Sequence, residues 1–315
     1  MKVVIAEPLA VPSEALAELL EPIEGNGVEV VVCADKPRSL SDWVSRCEGA
    51  DVVVMANTPF PSQALVELPR LKYLNVAFTG TDHVPVKEAK ERGIIVSNAT
   101  GYSEIAVSEL CIGMTIGLLR DLRAAGRGIR QGEGSTRFCG QEIHGKIVGI
   151  LGTGHIGLKT AKLYQAFGAK VIAWSRTPKE EAKSMGIPYY PLEKVLEKAD
   201  IISVHLPLTE ETAGLLGEEE FARMKRNAVL VNCARGPIVD SNALAKALSE
   251  KRLRAAVDVF EVEPPMAEHP LFACEDALLT PHIGYFTEEA MLRRAKIVLE
   301  NVERYLCGQK ISTQL

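Results

Sequence analysis

No two cysteines stand in C-x-x-C spacing; the seven present are scattered along 315 residues. That spacing argues against a zinc knuckle and a dithiol redox motif, and scattered thiols fit a reducing, cytoplasmic compartment. No histidine pair has metal-ligand spacing on a helix, so no metal is expected. Basic residues are not in excess: 36 stand against 41 acidic ones, a net charge of -5 that argues against a nucleic-acid partner. A local exception, Arg120, Arg123, Arg127 and Arg130, is spaced to share a helix face and reads as a solvated or subunit-facing stripe. No apolar run is long enough to span a membrane, and Met1-Lys2 leads straight into Val3-Val4-Ile5, so no signal peptide is expected. Internal repeats and low-complexity stretches are missing too. What remains is an ordinary globular composition, 47% hydrophobic and 24% charged, with length enough for two cores.

Short Val/Ile-rich runs alternate with helical stretches from end to end. Strands are predicted at Val3–Ala6, Val28–Val32, Val52–Met55, Tyr73–Ala77 and Ile94–Ser97. A second set follows at Val148–Leu151, Val171–Trp174, Ile201–Val204, Ala228–Val231, Ala255–Val257 and Leu278–Leu279. Apolar runs without alternation point to parallel strands buried on both faces, hence two doubly wound α/β sheets. Tyr102–Arg130 is too long and apolar for a simple linker and predicts a helix crossing between domains, with Cys111, Met114 and Leu118 on one face. The last helix carries Glu288 and Glu289 in its first turn, where the macrodipole favours them, and an apolar stripe of Met291, Ala295, Val298, Val302 and Leu306.

The most informative run is Val148-Gly149-Ile150-Leu151-Gly152-Thr153-Gly154-His155-Ile156-Gly157, a strand entering G-x-G-x-x-G ahead of a helical stretch from Leu158 to Phe167. In that context Gly152 allows a tight turn, Gly154 lets backbone approach a pyrophosphate, and Gly157 lets helix and strand pack closely. First-turn N–H groups then face the phosphates. Nearly half the chain precedes this run, so a dinucleotide-binding domain is expected as an insertion in another domain: residues 1–98 and 286–315 for the substrate domain, 99–285 for the Rossmann domain.

Three later segments each place a charged or ionisable residue just after a predicted strand: Val231-Asn232-Cys233-Ala234-Arg235-Gly236, Val257-Asp258-Val259-Phe260-Glu261-Val262-Glu263-Pro264, and Leu279-Thr280-Pro281-His282-Ile283-Gly284. Carboxyl ends of strands border the ligand crevice in open α/β sheets, so Arg235, Glu263 and His282 are expected to converge. With Gly80-Thr81-Asp82, Gly93–Asn98 and His205-Leu206-Pro207-Leu208-Thr209, these segments give the chain a resemblance, along essentially its whole length, to the D-isomer-specific 2-hydroxyacid dehydrogenases. The resemblance implies a flavodoxin-like substrate domain split between the chain ends around an inserted Rossmann domain. It also implies that His155, Ile156, His205, Leu206, Pro207, Thr212, Cys233, Ala234, Asp258 and Gly284 lie along the cofactor with the glycines. Asn57 and the segment Phe78-Thr79-Gly80 would meet the substrate, and a homodimer would use an arm at about 102–140.

The chemistry is arguable from the residues themselves. Reducing a 2-oxo acid needs a cation for the carboxylate, and a guanidinium binds carboxylate bidentately, which suits Arg235 unless it pairs with an acidic side chain. It also needs a proton donor. Free imidazole titrates near ~6.5, so His282 can give a proton in reduction and take one in oxidation. Glu263 would fix its tautomer and hold its proton, while Glu261 reads as a solvated loop carboxylate. Of the other histidines, His155 is expected to matter through its backbone, His83 and His144 as packing or turn residues, and His269 as part of a charged loop.

Where NAD-preferring domains carry an acid, about ~20 residues past the glycines, this chain has Ser175-Arg176-Thr177. Arg176 would bind a 2′-phosphate, favouring NADP; if it merely stacks on adenine, NAD is the cofactor. Phosphoglycerate-specific relatives carry arginines in the loop that here reads Asn57-Thr58-Pro59-Phe60, which disfavours a phosphorylated substrate. The chain also ends soon after its last helix, so no regulatory domain is expected. Phe60, Tyr102, Tyr285 and Phe286 are candidate pocket walls. Tyr285 stands where relatives commonly have small residues, which bears against glyoxylate. Glutamine in place of Glu263 would mark a formate dehydrogenase. Alternatives are D-3-phosphoglycerate dehydrogenation or a dinucleotide-sensing binding protein of the same superfamily, such as a transcriptional corepressor.

Overall fold

The computed structural model describes residues 1–25 and 27–315. The chain forms two α/β units, 1–103 with 286–315 (the terminal unit) and 104–285 (the inserted unit). In the terminal unit, β1 (Lys2–Ile5), α1 (Ser13–Glu24), β2 (Glu29–Val32), α2 (Leu40–Arg46), β3 (Val52–Met55), α3 (Ser62–Glu67), β4 (Tyr73–Val76), α4 (Val86–Glu91) and β5 (Ile95–Ser97) alternate. The inserted unit runs α5 (Glu104–Leu119), α6 (Leu122–Arg130), β6 (Ile147–Leu151), α7 (His155–Ala166), β7 (Lys170–Trp174), α8 (Glu180–Ser184), α9 (Leu192–Lys198) and β8 (Ile201–Val204). It continues with α10 (Glu218–Arg223), β9 (Ala228–Asn232), α11 (Ser241–Ser249), β10 (Leu253–Val257) and β11 (Leu278–Leu279), and α12 (Glu288–Leu306) returns the chain to the terminal unit.

All strands pair in parallel, in the flavodoxin-like order β2-β1-β3-β4-β5 and the order β11-β10-β9-β8-β6-β7. A single parallel bridge between Ala173 and Tyr189 stands outside β7 in place of a third Rossmann strand. The β-branched runs explain both sheets: Val52 to Met55 and Ile201 to Val204 are buried at every position, as strands covered on both faces must be. β2 departs from that expectation. It is an edge strand, and its outer residues Glu29 and Val32 are exposed. In the inserted unit, Val148 and Ile150 of β6 join a core under α5 and α7, and Leu151 joins the opposite core with α9, α10 and α11.

Two helix boundaries differ from the sequence reading, and the first unit runs to Ser103 rather than to residue 98. Tyr102–Arg130 is not one helix: it breaks at Asp121, whose φ is +50°, into α5 and α6. Nor is α5 a crossing element, since it packs on α7, β9 and β10 within the inserted unit, and this burial accounts for its apolar surface. The helix after the glycine turn begins at His155 rather than Leu158. The α12 stripe packs on α1 and β4, with Met291, Ala295, Val298 and Val302 buried. Among the described residues, no helix is long and apolar enough to cross a membrane.

Candidate functional site

The inserted unit presents the carboxyl ends of its strands as a row of turns. After β6, Gly152 takes φ +97°, and a Cβ there would stand 2.5 Å from the His205 carbonyl oxygen. A Cβ on Gly157 would stand 2.0 Å from the Gly152 oxygen, so only glycine permits this approach of helix to strand. Gly154 behaves differently. A Cβ there meets nothing within 4 Å, and no side chain caps the α7 N-terminus that follows it. An open backbone concavity at an uncapped helix N-terminus suits a pyrophosphate. Tyr189 steadies the turn by donating its hydroxyl to Thr153 Oγ1 at 2.8 Å. The His155 ring is engaged as well: its Nδ1 lies 3.1 Å from Glu104 Oε1, a contact that a purely backbone role left out.

At the end of β7, Arg176 and Thr177 are exposed and Ser175 is half-buried. The Glu211 carboxyl is held low, first by a hydrogen bond with the Thr209 side chain and in smaller part by the Arg176 charge. After β8, burial pushes His205 down to about 3, leaving a neutral ring paired with Ser203 Oγ at 2.8 Å. Leu206 is buried, and the Thr212 hydroxyl donates to the Pro207 carbonyl at 2.7 Å, closing that loop.

The Arg235 turn is shaped by Asn232, a residue the sequence reading passed over. Its side-chain oxygen accepts from Ala234 N at 3.0 Å and its amide donates to the Arg235 carbonyl at 3.0 Å. Cys233 and Ala234 are buried beneath, while Arg235 is half-buried. A Cβ on Gly236 would lie 2.1 Å from the Phe260 carbonyl carbon, so glycine lets the Arg235 turn lie against the loop of Glu263. Asp258, also buried, accepts from Ile283 N at 2.9 Å, Gly284 N at 2.8 Å and the Thr280 hydroxyl at 2.5 Å. Those bonds fold the turn in which His282 adopts φ +53°, a conformation that costs a non-glycine residue roughly 1–2 kcal/mol. Burial raises the Asp258 carboxyl, against the opposing pull of these donors.

In that turn, His282 Nδ1 lies 2.6 Å from Glu263 Oε2. Burial alone would raise the Glu263 carboxyl. The His282 hydrogen bond and charge, the Phe260 N–H and the Arg235 charge outweigh it and hold Glu263 below the usual range. An ionised carboxylate only accepts, so Nδ1 carries the hydrogen and proton exchange falls to Nε2. Arg235, Glu263 and His282 thus share one electrostatic neighbourhood.

Glu261 is solvent-exposed, as expected of a loop carboxylate, but it is also engaged. It accepts from Ser241 Oγ at 2.5 Å and lies 3.1 Å from His269 Nε2, while the His269 ring sits edge-on to Phe260, centroids 5.1 Å apart. Its tell-tale signal, a histidine eight residues along the same loop, has no periodicity by which sequence could read it.

In the terminal unit, Phe78 is buried, Thr79 and Gly80 are partly exposed, and Asn98 Nδ2 donates to the Thr79 carbonyl at 2.9 Å. Thr79 Oγ1 is buried with no hydrogen-bond partner. The Asn57–Phe60 loop carries no basic residue, but Lys36 from the β2–α2 connection brings its ammonium to Asn57 Oδ1 at 3.3 Å. Of the aromatic pocket walls, Phe60 and Tyr102 are core residues instead, 4% and 1% exposed. Tyr285 sits edge-on to His282 at 5.3 Å, and Phe286 is exposed.

A model of the D-isomer specific 2-hydroxyacid dehydrogenase NAD-binding domain matches residues 112–284. The chain belongs to that family. It is similar to a D-3-phosphoglycerate dehydrogenase of Methanocaldococcus jannaschii, 37% identical over 314 residues, which cover 98% of this chain and 58% of that protein. The chain therefore spans little more than half of that relative's length. A glyoxylate reductase of Aeropyrum pernix is 39% identical over 285 residues, 87% of this chain and 85% of that one. Among solved structures, an acyclic imino acid reductase in complex with NADPH and D-Arg superposes with a TM-score of 0.89 at 28% identity, each chain covered over 100%. Family members are oxidoreductases of CH–OH groups, and a nicotinamide dinucleotide is the cofactor that the cradle at Gly154 fits.

Proposed function

We propose that the chain interconverts 2-oxo acids and D-2-hydroxy acids, with Arg235 holding the substrate carboxylate and His282 exchanging the proton. The carrying observation is the 2.6 Å contact between His282 Nδ1 and Glu263 Oε2, with Arg235 in the same field. The nicotinamide, when bound, supplies a hydride to the carbonyl carbon in reduction and accepts one in oxidation. Arg235 orients the acid through its planar fork. His282 Nε2–H protonates the carbonyl oxygen in reduction and, neutral, takes the hydroxyl proton in oxidation. Glu263 holds the ring by its Nδ1 in both directions. Within the terminal unit, Asn57 and the N–H groups of the Phe78-Thr79-Gly80 segment are, in this reading, the groups that meet a substrate acid.

NADP is the favoured cofactor in this reading, supported by the exposed Arg176 at the end of β7 with no acid beside it in sequence. If Arg176 only stacks on the adenine, NAD is the alternative. The α5–α6 region, with Ile105, Leu122 and Ile129 exposed, supports a homodimer through an arm at about 102–140. Seven free thiols support a cytoplasmic site of action. A second reading has a specific observation behind it: Lys36 supplies the cation that the Asn57 loop lacks, which suits a phosphorylated hydroxy acid.

Loss of reduced-nicotinamide absorbance on adding a panel of 2-oxo acids, phosphorylated ones included, with each cofactor, tests the reading. In Glu263→Gln the ionised acceptor facing His282 Nδ1 is gone, so kcat should fall while dinucleotide affinity holds. An unchanged kcat would remove Glu263 from the mechanism.

A further inference from the structure

The terminal sheet reverses direction between β1 and β3, the place where open α/β sheets leave a crevice at their carboxyl ends. In this unit a side chain fills it. Glu7, two residues past β1, is 0% exposed, although it is a carboxylate. Its Oε1 accepts from Ala56 N at 2.8 Å, its Oε2 accepts from the Thr58 hydroxyl at 2.6 Å, and Thr58 N lies 3.3 Å from both oxygens. Burying a carboxylate is costly unless donors converge on it, and here they all come from one short loop. That loop flanks Asn57. Other braces hold it from outside: His83 Nε2 lies 2.9 Å from the Ala56 carbonyl, Trp43 Nε1 donates to Pro59 O at 3.0 Å, and Phe60 N donates to the His83 carbonyl at 3.0 Å. The Asn57 side chain between these anchors is half-buried and accepts from the Lys36 ammonium at 3.3 Å.

We propose that Glu7 is a positioning residue for substrate binding: its buried carboxylate holds the backbone on both sides of Asn57 so that the Asn57 amide is fixed before substrate arrives. This rests on the reading that Asn57 meets the 2-oxo acid. Glu7 touches no reacting atom. Its effect is preorganisation, which lowers the ordering cost of binding and leaves the chemical step alone.

The signature is a split between KM and kcat. In the full chain with saturating cofactor, Glu7→Leu should raise KM for the 2-oxo acid about tenfold, the fold-change expected from losing a hydrogen bond to a charged group. The kcat should hold within about twofold, and dinucleotide affinity should not change, because that site is built by other residues. Thr58→Val, which removes one donor at little cost in volume, should give a smaller rise. Glu7→Gln should restore most of the loss, its oxygen accepting from Ala56 N and its amide donating to Thr58 Oγ1. Glu7→Leu added to Asn57→Ala should do little further harm, since both act through one amide. Hydrogen exchange at the Ala56 and Thr58 amides reads the clamp without turnover: both should exchange faster in Glu7→Leu while β3 and β4 stay protected. Loss of kcat at unchanged KM, or unchanged exchange, would overturn the proposal. If Glu7→Leu does not fold, the Thr58→Val kinetics and exchange decide it. A wild type that turns over no 2-oxo acid would instead sink the functional reading, while exchange would still report on the clamp.

Discussion

The two units share a plan at one end of their sheets and part company at the other. At the start of the first strand, each uses an aspartate just before its third strand as a clamp: Asp51 N donates to the Lys2 carbonyl while its carboxylate accepts from Lys2 N at 2.9 Å, and Asp200 does the same for Ile147, its carboxylate accepting at 2.8 Å. A cation closes each, Arg70 at 3.0 Å and Lys225 at 2.8 Å. Both sheets then reverse order beside that first strand. At its carboxyl end the inserted unit has glycines, an uncapped helix and open space, whereas the terminal unit has a buried carboxylate. The same topological position is thus left open in one unit and is filled by a buried glutamate side chain in the other. Topology supplies the crevice; the side chains after the first strand decide whether a ligand enters it.

The largest test of that contrast lies in the inserted unit. His282→Ala should lower kcat by ~10²–10⁴ with dinucleotide binding nearly intact, and Arg235→Lys should recover little of the activity lost in Arg235→Ala. Steady-state kinetics beside a fluorescence binding titration separates the two effects. Full activity in His282→Ala would end the assignment of chemistry to this unit's turns.

Gly157→Ala should be the next most damaging change, because its Cβ would stand 2.0 Å from the Gly152 oxygen. The turn must open, so dinucleotide affinity should fall by at least about tenfold and Tm by several degrees. An alanine tolerated there would mean that the glycine turn is not what distinguishes the two crevices.

Arg176→Ala sharpens the cofactor side of the comparison. NADPH affinity should drop about tenfold more than NADH affinity, since only NADPH offers a phosphate to the guanidinium. Equal losses would show that Arg176 only stacks on the adenine.

The smallest effect concerns what the units share. Both clamping aspartates have lowered pKa values: burial opposes the shift, but the Lys2 N–H with Arg70 in one, and Lys225 with the Ile147 N–H in the other, outweigh it. A depressed carboxylate stabilises the fold above its unfolded value, near ~3.9, and loses that contribution as pH falls through the folded value. Asp51→Asn should therefore cost about 1–3 kcal/mol at neutral pH, and the deficit should shrink as pH falls below ~4. Asp200→Asn should cost less, because its side chain is 31% exposed against 4% for Asp51. Denaturant unfolding of each variant across that range checks both the sign and the order.

Much of this was legible in the chain. Continuous apolar runs announced parallel strands, and the glycine turn after β6 was legible because a backbone that must lie 2.0 Å from where a Cβ would be leaves its mark as glycine in the sequence. The three charged segments were found because each follows a strand directly. Less legible were Asn232, Asp258's grip on the His282 turn and the Glu261–His269 pair, since side-chain bonds between loops have no period. Phe60 and Tyr102 misled for a related reason: an aromatic ring near a motif reads alike whether it lines a pocket or fills a core.

Sequence by itself determined the class of each sheet, the family, and which residues carry charge at strand ends, because strand burial, glycine sterics and side-chain chemistry are local properties. Tertiary structure alone decided that α5 is buried within one unit, that Lys36 reaches Asn57, and that Glu7 occupies the crevice of the terminal sheet. Those outcomes depend on which strand ends lie side by side, and Glu7 lies 49 residues from the Ala56 amide it holds. Only the order of strands in the sheet brings them within bonding distance.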